Sequence, residues 1–282
     1  MRFPGGKPKA LTLSYDDGVR ADLKLCEVLE KYGLKCTFNL NSAHFLGEEV
    51  RPTKINPDEI REHILAKGHE IAVHGKQHIA PGIAAPVIVI RDVLECRSEM
   101  EKEFGMIIRG MAYPDSGITK MHSGNDYATV RSYLSNLGIA YSRTLGGDNN
   151  GFMMPTDFYA WMPTAHHKNP NLMKWADEFL EADGYHKVIA RRYPRLFYLW
   201  GHSYEFDDND NWSVIEEFAK KMGGRDDIWY ATNIEIFEYT EAYERLVCSA
   251  DGTMIYNPTG IEVFMHVDGK EYSVKPGQTL KI

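Results

Sequence analysis

The feature that most constrains this chain is a short apolar run that ends abruptly in polar residues, leads into a helix, and then recurs. Ala10 to Tyr15 (A-L-T-L-S-Y) has the composition of a buried strand and breaks at Asp16-Asp17-Gly18. Val19 to Tyr32 then sets Leu23, Cys26, Leu29 and Tyr32 on one helical face, and Gly33 stops it. Cys36 to Leu40 reads as a second strand, and Pro57 opens a second helix that carries Ile60, Ile64 and Leu65 to Gly68. Glu70 to Val73 is a third strand, followed by a helix from about Pro86 to Phe104. Further strands are expected at Ile107 to Ala112, Ile139 to Ser142, Leu196 to Trp200 and Ile228 to Ala231. Helices are expected near Asp126 to Leu137, Leu172 to Ala182, Trp212 to Met222 and within Ile234 to Leu246. Seven strands alternating with helices need crossover connections, so the expected class is α/β, a closed or nearly closed β/α barrel.

After Leu246 the composition changes. Cys248 to Ile282 is rich in turns (Asp251-Gly252, Asn257-Pro258, Pro276-Gly277), and Glu262 to Val274 alternates around Asp268-Gly269, a hairpin signal. The expected organisation is a barrel over residues 1–246 and a small β-rich C-terminal appendage over 247–282, within reach of 282 residues that are 43% hydrophobic.

A formal charge of -8 argues against a nucleic-acid binder, which gains affinity from clustered Lys and Arg. Met1 to Ala10 has no apolar run fit for a signal peptide, and no segment approaches a membrane span, so the expectation is a cytoplasmic protein, or a secreted one if the chain is a trimmed form. Cys26, Cys36, Cys96 and Cys248 form no C-x-x-C pair and read as reduced thiols.

Three local features carry chemistry. Asp16 and Asp17 follow a strand and point in different directions, so one can bind a metal while the other serves as a general base. His74-Gly-Lys-Gln-His78 follows another strand, and two imidazoles at that spacing reach one zinc, cobalt, nickel or iron ion. His202 lies just beyond a third strand. Each has a blander reading alone, as a solvated turn, a chance H-x-x-x-H or a structural histidine. Together they gather at strand C-termini, where β/α barrels build their sites, and two His with one carboxylate leave coordination positions open for water and substrate.

In this order the motifs resemble the polysaccharide deacetylase family (NodB homology, carbohydrate esterase family 4-like), with Thr37-Phe38 similar to the family's second strand. The resemblance spans Ala10 to Tyr204 and implies a distorted (β/α)7 barrel. It implies one divalent metal, zinc in the first instance, on Asp17, His74 and His78, with Asp16 as the catalytic base and His202 as the acid that protonates the leaving amine or alkoxide. The counterpart of the family's R-x-P-Y motif is Arg109-Gly-Met-Ala-Tyr113-Pro114. There Ala112 takes the place of the usual Arg, Arg109 is the candidate to reach the base from upstream, and the Tyr113 backbone N–H is the candidate oxyanion donor. Asp157-Phe-Tyr-Ala-Trp161 stands where D-x-x-D-W would, which makes Trp161 a candidate apolar wall for the acetyl methyl or a sugar face.

The activity implied is hydrolysis of an N- or O-acetyl group on a carbohydrate, with an acetylated sugar or oligosaccharide as partner. The alternatives are an amidohydrolase acting on a non-sugar linear or cyclic amide and a non-catalytic glycan-binding relative. His166-His167 reads as a surface or loop pair, with a contact to the site as the alternative, and Asp207 to Asp210 as a solvated acidic run, with a lining of the entrance that favours an aminosugar product as the alternative.

Overall fold

The computed structural model describes residues 1–47, 51–122, 124–146, 149–182, 185–186 and 191–282. Eight parallel strands form one sheet: β1 (Lys9–Asp16), β2 (Thr37–Leu40), β3 (Glu70–Val73), β4 (Gly110–Ala112), β5 (Tyr141–Arg143), β6 (Ala165–His166), β7 (Arg195–Gly201) and β8 (Ile228–Tyr230). Their order is β5-β4-β3-β2-β1-β7-β6, with β8 joined to β1. One edge of β1 pairs with β7 from Lys9 to Tyr15. The other edge is shared by β8, at Lys9 to Leu11, and β2, at Ser14 to Asp16. Two neighbours splayed along one edge account for the distortion of the barrel. A bridge between Arg143 and Trp161, on the segment running into β6, links the two ends of the strand order.

The expected α/β barrel is what forms, with differences at its weakest strands. Two-residue β6 carries no apolar run long enough to read as a strand. The expected strand from Ile107 shortens to Gly110–Ala112 because Ile107 is exposed. The expected strand from Ile139 to Ser142 shifts to Tyr141–Arg143, so a charged residue ends it.

Alternation decides what lies inside. On β1, Leu11, Leu13 and Tyr15 join the large core beneath the helices, while Ala10, Thr12, Ser14 and Asp16 turn into the barrel. The barrel's lower interior is filled by Tyr141, Trp161, Leu196, Tyr198 and Ile236. A buried polar layer lies with them, in which Glu70 accepts hydrogen bonds from Tyr141 (2.7 Å), Thr37 (2.8 Å) and the Ile234 N–H (2.9 Å). Burial pushes the Glu70 carboxyl up to about 7 despite these donors. Gly110 leaves room for this layer, since a Cβ there would collide with the Tyr141 hydroxyl and the Glu70 carboxylate. Gly110→Ala is therefore expected to destabilise the fold by about 1–3 kcal/mol, read as a lower denaturation midpoint.

The tail has a three-stranded antiparallel sheet from Val247–Cys248, Met254–Tyr256 and Thr279–Lys281, and a hairpin pairing Val263–Val267 with Lys270–Val274. Asp268 (φ 48°) and Gly269 (φ 83°) make the hairpin turn, both in the left-handed region that such turns require. The tail meets the end of the barrel where β1 begins: the Phe264 N–H donates to the Tyr239 hydroxyl (2.9 Å), which donates to the Arg2 carbonyl (2.6 Å). All four cysteines are free thiols. Among the described residues, no helix is long and apolar enough to cross a membrane.

Candidate active site

The strands' C-terminal ends bring together five of the residues singled out in the sequence: Asp16, Asp17, His74, His78 and His202. Asp16 still obeys strand alternation and faces inward. Asp17 lies past the strand with φ 80°, a left-handed conformation rare for a residue with a Cβ. It is held there by its N–H donating to the Asn39 carbonyl (2.9 Å) and by Lys54 Nζ donating to its carbonyl (2.7 Å).

His74 and His78 are fixed by a tight loop. Asn41 donates to the carbonyls of His74 (2.6 Å) and Gly75 (3.1 Å), and Asp92 accepts from the Gln77 N–H (2.7 Å). Gly75 (φ 73°) is required, because a Cβ would run into the Asp92 carboxylate. His78 is itself left-handed, at φ 58°.

The Nε2 atoms of His74 and His78 lie 3.9 and 3.8 Å from Asp17 Oδ1, and the three ligand atoms lie within 4.8 Å of one another. His74 Nδ1 donates to the Ala112 carbonyl (2.9 Å), which leaves the lone pair on Nε2, facing Asp17. Burial keeps the His74 imidazole below its ordinary pKa, against the pull of Asp16. Two imidazoles and one carboxylate, with a tautomer preset on one ring and backbone strain at two ligands, fit a divalent transition ion.

Asp16 sits between this cluster and His202. Its Oδ2 pairs with Arg143 Nη2, and lies 3.9 Å from His74 Nε2 and 3.9 Å from His202 Nε2. Its Oδ1 accepts from Asn39 Nδ2 (2.8 Å). Burial works to raise the Asp16 pKa, yet Arg143, helped by His74, His202 and Asn39, holds it below the usual carboxylate value. The Arg143 guanidinium also stacks 4.2 Å over the Trp200 ring.

His202 follows β7, and the next residue, Ser203, donates to Asp22 (2.5 Å). His202 Nδ1 faces Glu205 Oε1 at 3.7 Å, and the same carboxylate pairs with Lys168 Nζ (2.8 Å), His167 Nε2 (3.0 Å) and His166 Nε2 (3.3 Å). Against its burial, these partners hold the Glu205 carboxyl well below the usual range. Burial alone would lower the His202 pKa. Glu205 and the charges of Asp16 and Asp17 outweigh it and raise the value above that of a free imidazole.

Three expectations do not fit this geometry. Arg109 sits at the far end of β4, where it pairs with Glu238 (3.4 Å) and lies over Phe237, so Arg143 from β5 takes the place beside Asp16. The Tyr113 N–H already donates to the Arg143 carbonyl (2.9 Å) and its hydroxyl to the Tyr159 carbonyl (2.8 Å), so neither is free for an oxyanion. Trp161 is 1% exposed and packs on Tyr141, Phe158 and Tyr198 inside the barrel, which removes it as a wall for substrate. The pair His166-His167 belongs to the site's edge rather than to a free surface, with His167 buried under Phe206. Asp207 to Asp210 is exposed, and Asp207 also lines a cleft beside the cluster, so the run agrees with both of its readings.

Arg143, Glu205 and Asn39 were missed. Arg143 ends a strand too short and too polar to stand out, and Glu205 sits in an acidic stretch. Asn39 did carry a signal, because its position on β2 puts it on the inward face with Thr37.

Residues 4–141 match the family model described as polysaccharide deacetylase, a span that holds Asp16, Asp17, His74 and His78 and ends before Arg143 and His202. No curated protein sequence matches the chain. The fold is shared with a structure described as a polysaccharide deacetylase from Mycobacterium smegmatis (18% identity, TM-score 0.56, covering 86% of this chain and 94% of that one). It is shared equally with one so described from Pseudomonas aeruginosa PAO1 (14%, 0.57, 84% and 92%) and with Puue allantoinase (12%, 0.58, 84% and 91%).

Proposed function

We propose that this chain, which matches the polysaccharide deacetylase family over residues 4–141, is a metal-dependent carbohydrate deacetylase. The observation that carries the reading is the place of Asp16, a buried carboxylate kept ionised by Arg143 between a His-His-Asp cluster and a second histidine. Asp17, His74 and His78 would hold the ion, with zinc the first choice and cobalt, nickel or iron compatible with the donor set. An ion on these ligands supplies a Lewis acid that polarises the acetyl carbonyl and acidifies a water.

The protein's own groups move the protons. Asp16 accepts the proton of the attacking water as its oxygen bonds to the acyl carbon. His202, whose pKa Glu205 helps to raise against burial, donates its proton to the sugar nitrogen or oxygen as the acyl bond breaks, and acetate leaves. A cleft of about 540 Å³ lined by Asp17, Arg20, Lys54, Tyr204 and Asp207 opens beside the cluster and offers room for the sugar.

The test is acetate release from a panel of acetylated sugars by metal-stripped protein, with and without zinc, cobalt or nickel, beside an Asp17→Ala/His74→Ala variant. Metal-dependent release that the variant loses is the expected result. Silence on every acetylated sugar with turnover of allantoin or another ureide would replace this reading with the amidohydrolase one.

Glu205 is a positioning residue, since it acts through His202. A general acid works only while protonated, so activity is lost as pH rises through its pKa. Glu205→Gln removes a group that raises that pKa, and the basic limb of the kcat profile is expected to move to lower pH, with kcat at neutral pH down about 10-fold or more. A purely structural role would lower the amount of folded enzyme and leave the limb where it was.

A further inference from the structure

The His202 side of the site holds more ligating atoms than one proton donor needs. His166, His202 and Glu205 each offer a ligand atom, and these atoms lie within 4.8 Å of one another, as in the Asp17 cluster. His167 Nε2 closes on the same carboxylate oxygen as His166 Nε2, at 3.0 and 3.3 Å. Yet His167 Nε2, Glu205 Oε2 and His202 Nδ1 are buried and make no hydrogen bond, because the close approaches lack hydrogen-bond geometry. Glu205 Oε2 and His202 Nδ1 belong to this cluster of ligand atoms and lack a partner, which an ion between them would supply. Lys168 occupies Oε1 (2.8 Å), which leaves Oε2 turned towards the two imidazoles. His167 Nδ1 lies 3.3 Å from the Tyr15 hydroxyl, an outer contact that fixes the ring.

We propose that His166, His202 and Glu205 form a second site for a divalent transition ion such as zinc, separate from Asp17, His74 and His78, and that filling it inhibits the enzyme. The ion takes the Nδ1 lone pair of His202 as one proton leaves to solvent. The Nε2–H that remains belongs to a neutral imidazole, a far weaker acid than an imidazolium, so the leaving group loses its proton source. The inhibition rests on the reading of His202 as the acid; the binding does not.

Zinc alone is the probe, and stoichiometry by equilibrium dialysis with metal analysis is the first readout. Wild-type protein is expected to take up a second equivalent, and Asp17→Ala/His74→Ala to keep one. His166→Ala is expected to bind one only. In kinetics, the wild-type rate passes through a maximum and falls as zinc rises, whereas the His166→Ala rate, taken relative to its own maximum, loses the fall. Glu205→Gln, read by stoichiometry alone, repeats the test if His166→Ala folds poorly. Saturation of the wild type at one equivalent overturns the proposal, as does a second equivalent that survives both His166→Ala and Glu205→Gln. A double variant that binds no zinc overturns it too. None of these stoichiometries depends on the substrate, so they stand apart from any failure of the deacetylase reading.

Discussion

Asp16→Asn is expected to lower kcat by about 10²–10⁴-fold while the protein keeps its divalent ion, because the change removes a proton acceptor and nothing that coordinates. The amide is nearly isosteric, but its one oxygen can accept from only one of Asn39 and Arg143, so the variant also loses some stability, which a denaturation midpoint measures separately from the rate. KM should change little, since Asp16 faces the reacting water rather than the sugar. The pH profile gives a second readout. A general base works only when deprotonated, so wild-type activity falls as pH drops through the Asp16 pKa, which Arg143 and its neighbours set below the ordinary carboxylate value against the effect of burial. In the variant that acidic limb should vanish. Steady-state kinetics beside metal analysis decides the matter: near-normal turnover would show that Asp16 is not the base, and lost metal would show that it is a ligand.

The barrel was legible because its central strands are long, apolar and followed by glycine-stopped helices. The strands Ala10 to Tyr15 and Leu196 to Trp200 pair with each other over most of their length, and Thr37 to Leu40 pairs with Glu70 to Val73 over all of theirs. Legibility failed where a strand was too short to show a period. Tyr141–Arg143 has three residues, and its inward-facing Arg143 looks in sequence like the end of an apolar run rather than part of one. The same holds for Ala165–His166, which delivers His166 and His167 to the site from a strand of two residues. Asp16, Asp17, His74, His78 and His202 could be grouped from the sequence because each follows a recognisable strand, and the structure brings them together at one end of the barrel. Arg109 was misplaced for the same reason in reverse. It precedes β4, and a residue before a parallel strand emerges at the opposite end of the barrel from the site. Tyr113 and Trp161 were misread because backbone pairing and burial, which spend the N–H of one and enclose the ring of the other, are not written in a motif.

Arg143→Met should have the largest combined effect on stability and rate. The guanidinium is 1% exposed, and its Nε and Nη1 are buried without hydrogen-bond partners. Such a group is costly to keep, so what justifies it is the charge it places against Asp16 and the Trp200 ring. Removing it leaves Asp16 as an uncompensated buried carboxylate, at a cost of about 3–5 kcal/mol read by denaturation. The Asp16 pKa must then rise, because burial no longer meets its main opponent, and the acidic limb of the activity profile moves to higher pH. Arg143→Lys should restore the charge and only part of the effect, since an ammonium cannot both pair with Asp16 and lie over the Trp200 ring as the guanidinium does. A residue that merely filled space would lower stability and leave the limb unmoved. If Arg143 acts through Asp16, the Asp16→Asn/Arg143→Met double variant should have nearly the kcat of Asp16→Asn alone, because a positioning residue has nothing left to position once the base is gone.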